Sequence, residues 1–266
     1  MVFDFLPDKN KVVIGMVHIG ALPGAPLYDR DGGIERLLDG VLSDLEGLQG
    51  GGIDAIMFGN ENDRPYVLKG TPETISAMSS IVATVKSEIR VPFGVNYLWD
   101  PVASIAIAGA TGASFVREIF TGVYASDMGV WEPKCREAFS LKDNLGLDDL
   151  KLLFNINAEF AHSLDQRSLA LRAKSAVFSS LADAILVSGP MTGQGVEASH
   201  LHEVRDAIGD NPLFANTGVN VDNVESVLSV ADGCIVGTHF KVDGNTWNAI
   251  DRDRVARFME KVEKLR

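Results

Sequence analysis

The sequence predicts an α/β chain of the (β/α)8 type, a TIM barrel, as a single domain over residues 1–266. Three observations carry this. Eight short apolar runs alternate with helical patterns along the chain. No linker or low-complexity segment interrupts them. The last two runs each stop at a small glycine–threonine turn, where barrels of this type commonly hold a phosphate. A doubly wound open sheet is the runner-up, and eight unbroken units favour closure. With 266 residues, 46% of them hydrophobic, the chain is long enough for one large core.

The strands are expected at Val12–Val17, Ile53–Phe58, Pro92–Asn96, Ser114–Ile119, Lys151–Asn157, Ala184–Ser188, Leu213–Thr217 and Gly233–Thr238. Each is short, apolar and often β-branched, as strands buried on both faces are. In the first helix Ile34, Leu37, Leu38, Val41, Leu42, Leu45 and Leu48 form one stripe, and Gly50 to Gly52 stop it. The second helix opens at Thr71-Pro72, an N-cap followed by a proline at the first helical position. The seventh opens at Asp222, and the eighth runs from about Asp251 to Lys264. One connection is longer than the rest, Phe120 to Leu150. Its second half, Glu132 to Asn144, reads as the outer helix. Its first part, a loop over about 120–131, is a candidate lid.

The composition narrows the function classes. A net charge of −12 argues against nucleic acid or an anionic membrane surface as partner. Two cysteines, Cys135 and Cys234, make neither a disulfide scaffold nor a zinc spacing. The segment Met1 to Pro7 has no basic stretch of the kind that opens a secretory signal, and no run approaches a membrane span. The expectation is a cytoplasmic protein that needs no cofactor. Homo-oligomers are compatible with the fold, without a specific signal for one.

Chemistry in such a barrel sits at the C-terminal strand ends. Here those ends are polar. His18 closes the first strand, and its ordinary pKa near 6.5 suits proton transfer. Arg117 and Glu118 are strand neighbours, so only one can face the interior; Arg117 is preferred as the holder of an anionic group. Asp100 and Glu118 complete the catalytic candidates. Asn60, Asn96, Asn157, Ser188 and Asn216 are assigned to hydrogen bonding with a ligand. Thr217-Gly218 and Gly237-Thr238 are the phosphate turns, because bare backbone amides suit an anion, and Lys241 is a phosphate contact or a surface charge. Glu61, Asp63 and Asp100 are weighed as a divalent-metal set, with solvated loop carboxylates as the simpler reading. The fifth strand leads to Glu159 and His162, and the eighth to His239.

Several segments carry a family resemblance. They are Gly15 to Gly24 (GMVHIGALPG), Pro92 to Pro101 (PFGVNYLWDP), Phe115 to Gly122 (FVREIFTG), Tyr124 to Trp131 (YASDMGVW), Ala231 to Thr238 (ADGCIVGT) and Asp251 to Val255 (DRDRV). Over nearly its whole length the chain resembles the BtpA family, in its SgcQ-like branch. The resemblance implies a barrel of the ribulose-phosphate-binding type. It carries over His18, Asn60, Asn96, Asp100, Arg117, Thr217, Gly218, Gly237 and Thr238 as motif residues. The family takes its name from photosystem I biogenesis in photosynthetic members and implies no settled reaction. Where many members have a Glu-Asn pair this chain has Gly59-Asn60, which removes an acid unless Glu61 replaces it. Trp99 stands where others have asparagine, as in the SgcQ-like branch.

The expected function is an enzyme acting on a small phosphorylated sugar or related metabolite, of isomerase, aldolase or lyase type. A non-catalytic biogenesis or stability factor is one alternative, and an enzyme handling nucleosides or phosphoribosyl groups is another.

Overall fold

A computed structural model describes Leu6 and residues 9–266. The rest of the Met1 to Pro7 segment, read above for a leader, lies outside the described residues. Eight parallel strands form a closed barrel: β1 (Val12–His18), β2 (Ala55–Gly59), β3 (Phe93–Asn96), β4 (Phe115–Glu118), β7 (Lys151–Asn155), β9 (Ala184–Val187), β10 (Leu213–Ala215) and β11 (Gly233–Val236). They stand in sequence order round the barrel, and β1 closes it by pairing with both β2 and β11. Three further strands, β5 (Tyr124–Ser126), β6 (Gly129–Trp131) and β8 (Ala161–Ser163), make a small antiparallel sheet.

A helix follows each barrel strand: α1 (Gly33–Gly50), α2 (Pro72–Thr84), α3 (Pro101–Thr111), α4 (Cys135–Asn144), α5 (Leu169–Ser180), α6 (Ala198–Ile208), α7 (Val224–Leu228) and α8 (Arg252–Glu263). Their starts have local causes. Thr71 and Thr74 form a capping box at α2, and the side chains of Asp100 and Asp251 accept amides at the starts of α3 and α8. Alternation along the strands sorts the core in two. Met16, Met57, Phe115, Leu153, Leu186, Phe214 and Ile235 fill the barrel interior. Val17, Phe58, Val95, Val116, Phe154 and Val187 face the helices.

Five expectations shift. The fifth, seventh and eighth barrel strands end two residues early, so Asn157, Thr217 and Thr238 lie beyond the ladder. Thr217 is pulled out of it because its Oγ1 accepts the Gly189 amide at 2.6 Å. The seventh helix spans only five residues, since Asn220 Oδ1 first holds the amides of Asp222 and Asn223 in a turn. The connection read as a loop over 120–131 carries the β5–β6 hairpin. Tyr124 stacks on Trp131 with ring centroids 4.8 Å apart, and the Trp131 indole donates to Ser126 Oγ.

Candidate active site

A cavity of about 280 Å3 opens at the C-terminal ends of the barrel strands. Met16, Met57 and Ile235 from the interior core form its floor. His18, Glu61, Arg117, Glu159 and Asn216 bring polar groups to its walls.

One wall is a connected hydrogen-bond array centred on Glu159. Glu159 Oε1 accepts from Arg117 Nη2 at 2.7 Å, Asn216 Nδ2 at 2.8 Å and Ser188 Oγ at 3.0 Å. Its Oε2 accepts from Asn155 Nδ2 at 3.2 Å. Arg117 Nη1 donates to Asn96 Oδ1 at 2.9 Å, and Asn96 Nδ2 donates to Glu118 Oε1 at 2.9 Å. The array thus links the ends of β3, β4, β7, β9 and β10. Arg117 and Glu159 are both buried, and satisfying a buried pair from several sides is what makes its burial tolerable. The expectation that Arg117 faces the interior agrees with this arrangement. Asn96 and Ser188 do not line the cavity; they hold the groups that do.

The other wall carries Glu61 and His18, with Nε2 and Oε1 3.9 Å apart. Burial pushes the Glu61 carboxyl up from 4.5 to about 7, opposed by Arg117 and Lys241. Its Oε2 is buried with no hydrogen-bond partner among the described residues. His18 does not keep the ordinary pKa that the sequence expectation started from. Burial, assisted by the Lys241 ammonium, lowers its pKa from 6.5 to about 3. The imidazole is therefore neutral at pH 7, and Glu61 is the group on this wall whose pKa lies near neutrality.

The two glycine–threonine turns meet the same cavity, with Thr217, Gly218, Gly237 and Thr238 all lining it. The glycines have further structural reasons. Gly218 sits at φ +64°, and a Cβ there would run into the backbone of Gln194 and Gly195. A Cβ on Gly237 would come within 3.0 Å of the His18 ring. Arg254, from the first turn of α8, lines this end and is held by the His239 carbonyl, to which its Nε donates at 2.6 Å.

Other candidates stand elsewhere. Asp100 does not line the cavity: its carboxylate caps α3 through Val102 and Ala103 and accepts the Gly70 amide at 2.9 Å. Asn60 is consumed between Asp63 and the Leu98 amide. Asn157 ties β7 to β9, exchanging hydrogen bonds with the backbone of Ser188. Glu118 lies outside the cavity lining; it accepts from Asn96 and from the Ile119 amide, and burial raises its pKa to about 8. Lys241 is neither a surface charge nor at the turns. It is 1% exposed and donates to Asp44 Oδ2 on α1 at 2.6 Å. The weighed metal set does not converge, because Asp63 accepts the Leu22 amide and Asn60 while Asp100 caps its helix.

Sequence reasoning gave no role to Glu159, Tyr66 or Arg254, all of which line the cavity. Arg254 had a signal: it is a cation three residues past the N-cap Asp251, on the helix after the last turn. Glu159 had one too, as an acid just past a strand that carries two asparagines.

The fold and site define a TIM barrel with an open cavity, lined by both polar and apolar groups, at the C-terminal ends of its strands. The chain belongs to the BtpA family, whose family model matches residues 9–264. It is 48% identical over 257 residues to the sgc region protein SgcQ of Escherichia coli K12, covering 97% of this chain and 96% of that one. It is 31% identical to the photosystem I biogenesis protein BtpA of a Synechocystis strain, over 95% and 88% of the two chains. Several solved structures share the fold. One is described as native KDPGal, with TM-score 0.57 and 12% identity over 95% of this chain and 94% of that one. Another is orotidine 5'-phosphate decarboxylase of Pyrococcus horikoshii, with TM-score 0.54 and 15% identity over 94% and 99%. At these identities the structures establish the fold. No described helix is long and apolar enough to cross a membrane.

Proposed function

We propose that this chain is an enzyme that binds a small phosphorylated metabolite and moves a proton on it. The observation that carries the reading is Glu61. A buried carboxyl with its pKa raised to about 7 lines the same cavity as two glycine–threonine turns. Such a carboxyl can take and return a proton at neutral pH, whereas an ordinary carboxylate is too weak a base.

In this reading the phosphate rests at Thr217-Gly218 and Gly237-Thr238, with Arg254 as the nearby cation. Arg117, fixed by Glu159 and Asn96, offers a preorganised positive charge to an oxygen that becomes negative as the proton leaves. Neutral His18 donates or accepts a hydrogen bond without changing charge. Proton abstraction beside a carbonyl is the shared step of the isomerase, aldolase and lyase classes, and these residues support that step. The ligand classes in the names of the structural neighbours are compatible with it.

The test is thermal unfolding with inorganic phosphate and ribose 5-phosphate. A ligand that binds only the folded state stabilises it, by roughly 2.7 kcal/mol at a hundredfold excess over its Kd. The reading predicts a rise in Tm for the wild type and a smaller rise for Arg254→Ala. No rise with either compound at millimolar concentration contradicts it.

A further inference from the structure

The two ends of the cavity differ in chemistry, and the barrel places them across from each other. Trp99 follows β3, and Thr217-Gly218 follow β10. In the closed order, β3 and β10 are four strands apart in either direction, so their ends lie on opposite sides of the mouth. The β10 side is built from small polar residues and Arg254. The β3 side is aromatic and apolar, with Tyr66, Leu98 and Trp99 in the lining.

The aromatic side is held rigidly. The Tyr66 and Trp99 rings meet edge to face at 5.9 Å, and Trp99 leans on Trp131 at 6.0 Å. The two buried indoles of this cluster differ in one respect. The Trp131 Nε1 donates to Ser126 Oγ at 3.0 Å, whereas the Trp99 Nε1 is buried with no acceptor among the described residues. Buried donors without partners are uncommon and costly, and in a cavity wall a ligand acceptor is the natural remedy.

Resting on the phosphate reading above, we infer that the ligand is a phosphoester carrying a flat, unsaturated ring with a hydrogen-bond acceptor, a phosphoribosyl-linked heterocycle in class. Its phosphate sits at the β10 and β11 turns. Its ring lies against Trp99 and Tyr66 and offers an acceptor to the Trp99 indole. Its hydroxyl-bearing middle faces Glu61 on one wall and Arg117 with Asn216 on the other. A short-chain sugar phosphate leaves the aromatic side empty and the indole unpaired.

The test is calorimetric titration of the full chain with inorganic phosphate, ribose 5-phosphate and uridine 5'-monophosphate. The expected result is a nucleotide Kd at least about tenfold below that of ribose 5-phosphate, the scale of one ring stacked on an aromatic side chain. Trp99→Phe keeps the ring and removes the donor, and is expected to weaken the nucleotide severalfold while leaving ribose 5-phosphate unchanged. Trp99→Ala is expected to bring both compounds to the same Kd. Equal wild-type affinities for the nucleotide and the sugar phosphate overturn the inference and leave the phosphate reading standing. Failure of all three compounds to bind overturns both.

Discussion

The carboxylate of Glu61 occupies the space that a side chain at Gly59 would fill. A Cβ built on Gly59 would lie 2.6 Å from Glu61 Oε1 and 2.8 Å from Cδ. Gly59 is the last residue of β2, and the chain turns back two residues later. The missing side chain is therefore what lets the carboxyl tuck against the strand end, where burial raises its pKa.

Gly59→Ala should push that carboxyl out of its position without disrupting the ladder. The overlap is with the far end of a flexible side chain that can swing aside, so the expected cost in stability is small. The diagnostic readout is pH dependence. Between pH 4.5 and about 7 the folded chain keeps a proton on Glu61 that the unfolded chain releases, so stability falls as pH rises through that window. Urea unfolding at several pH values should show this fall weakened both in Gly59→Ala and in Glu61→Gln. Glu118, raised to about 8, contributes a fall in the same direction and should remain in both variants. An undiminished slope in Glu61→Gln contradicts the assignment.

His18 works in the opposite sense. Its folded pKa is about 3 and its ordinary value 6.5, so the unfolded chain binds a proton there that the folded chain does not. Stability contributed by this group rises between pH 3 and 6.5 and is fully present above. His18→Asn should flatten the acid limb of the stability curve while leaving its neutral part nearly parallel to wild type. An acid limb as steep as before in the variant means that other groups set it.

Arg117 and Glu159 should behave as a coupled unit. Removing either alone leaves a buried, unpaired charge, so Arg117→Ala and Glu159→Ala are each expected to cost about 3–5 kcal/mol. The double variant should cost clearly less than the sum, with a coupling of about 1–3 kcal/mol in a double-mutant cycle of urea midpoints. Strict additivity would mean that the 2.7 Å pair contributes nothing as a pair.

The barrel was largely readable in the chain because each strand and its helix are local features. The runs from Val12, Pro92, Ser114 and Lys151 begin within one residue of the observed strands, and Thr71-Pro72 marks α2 by its own chemistry. What could not be read depends on distant partners. Lys241 lies 197 residues from Asp44, and nothing near either one announces the pair. The hairpin was missed because its strands have three residues each, and its third strand comes from the β7–α5 connection. His18 was assigned correctly to a strand end, but its ionisation is set by burial and by Lys241, which spacing does not show. Asp100 was taken for chemistry although it precedes a proline at a helix start, where a cap is the stronger reading.

The measurement that tests the central claim most directly is the titration of the Glu61 side-chain carboxyl by 13C NMR. The resonance is assigned by its absence in Glu61→Gln and followed with and without ribose 5-phosphate. The account predicts a midpoint near 7 in the free protein, moving upward with the sugar phosphate bound because a second negative charge enters the same cavity. A midpoint near the ordinary value of 4.5, or one indifferent to saturating ligand, would contradict it.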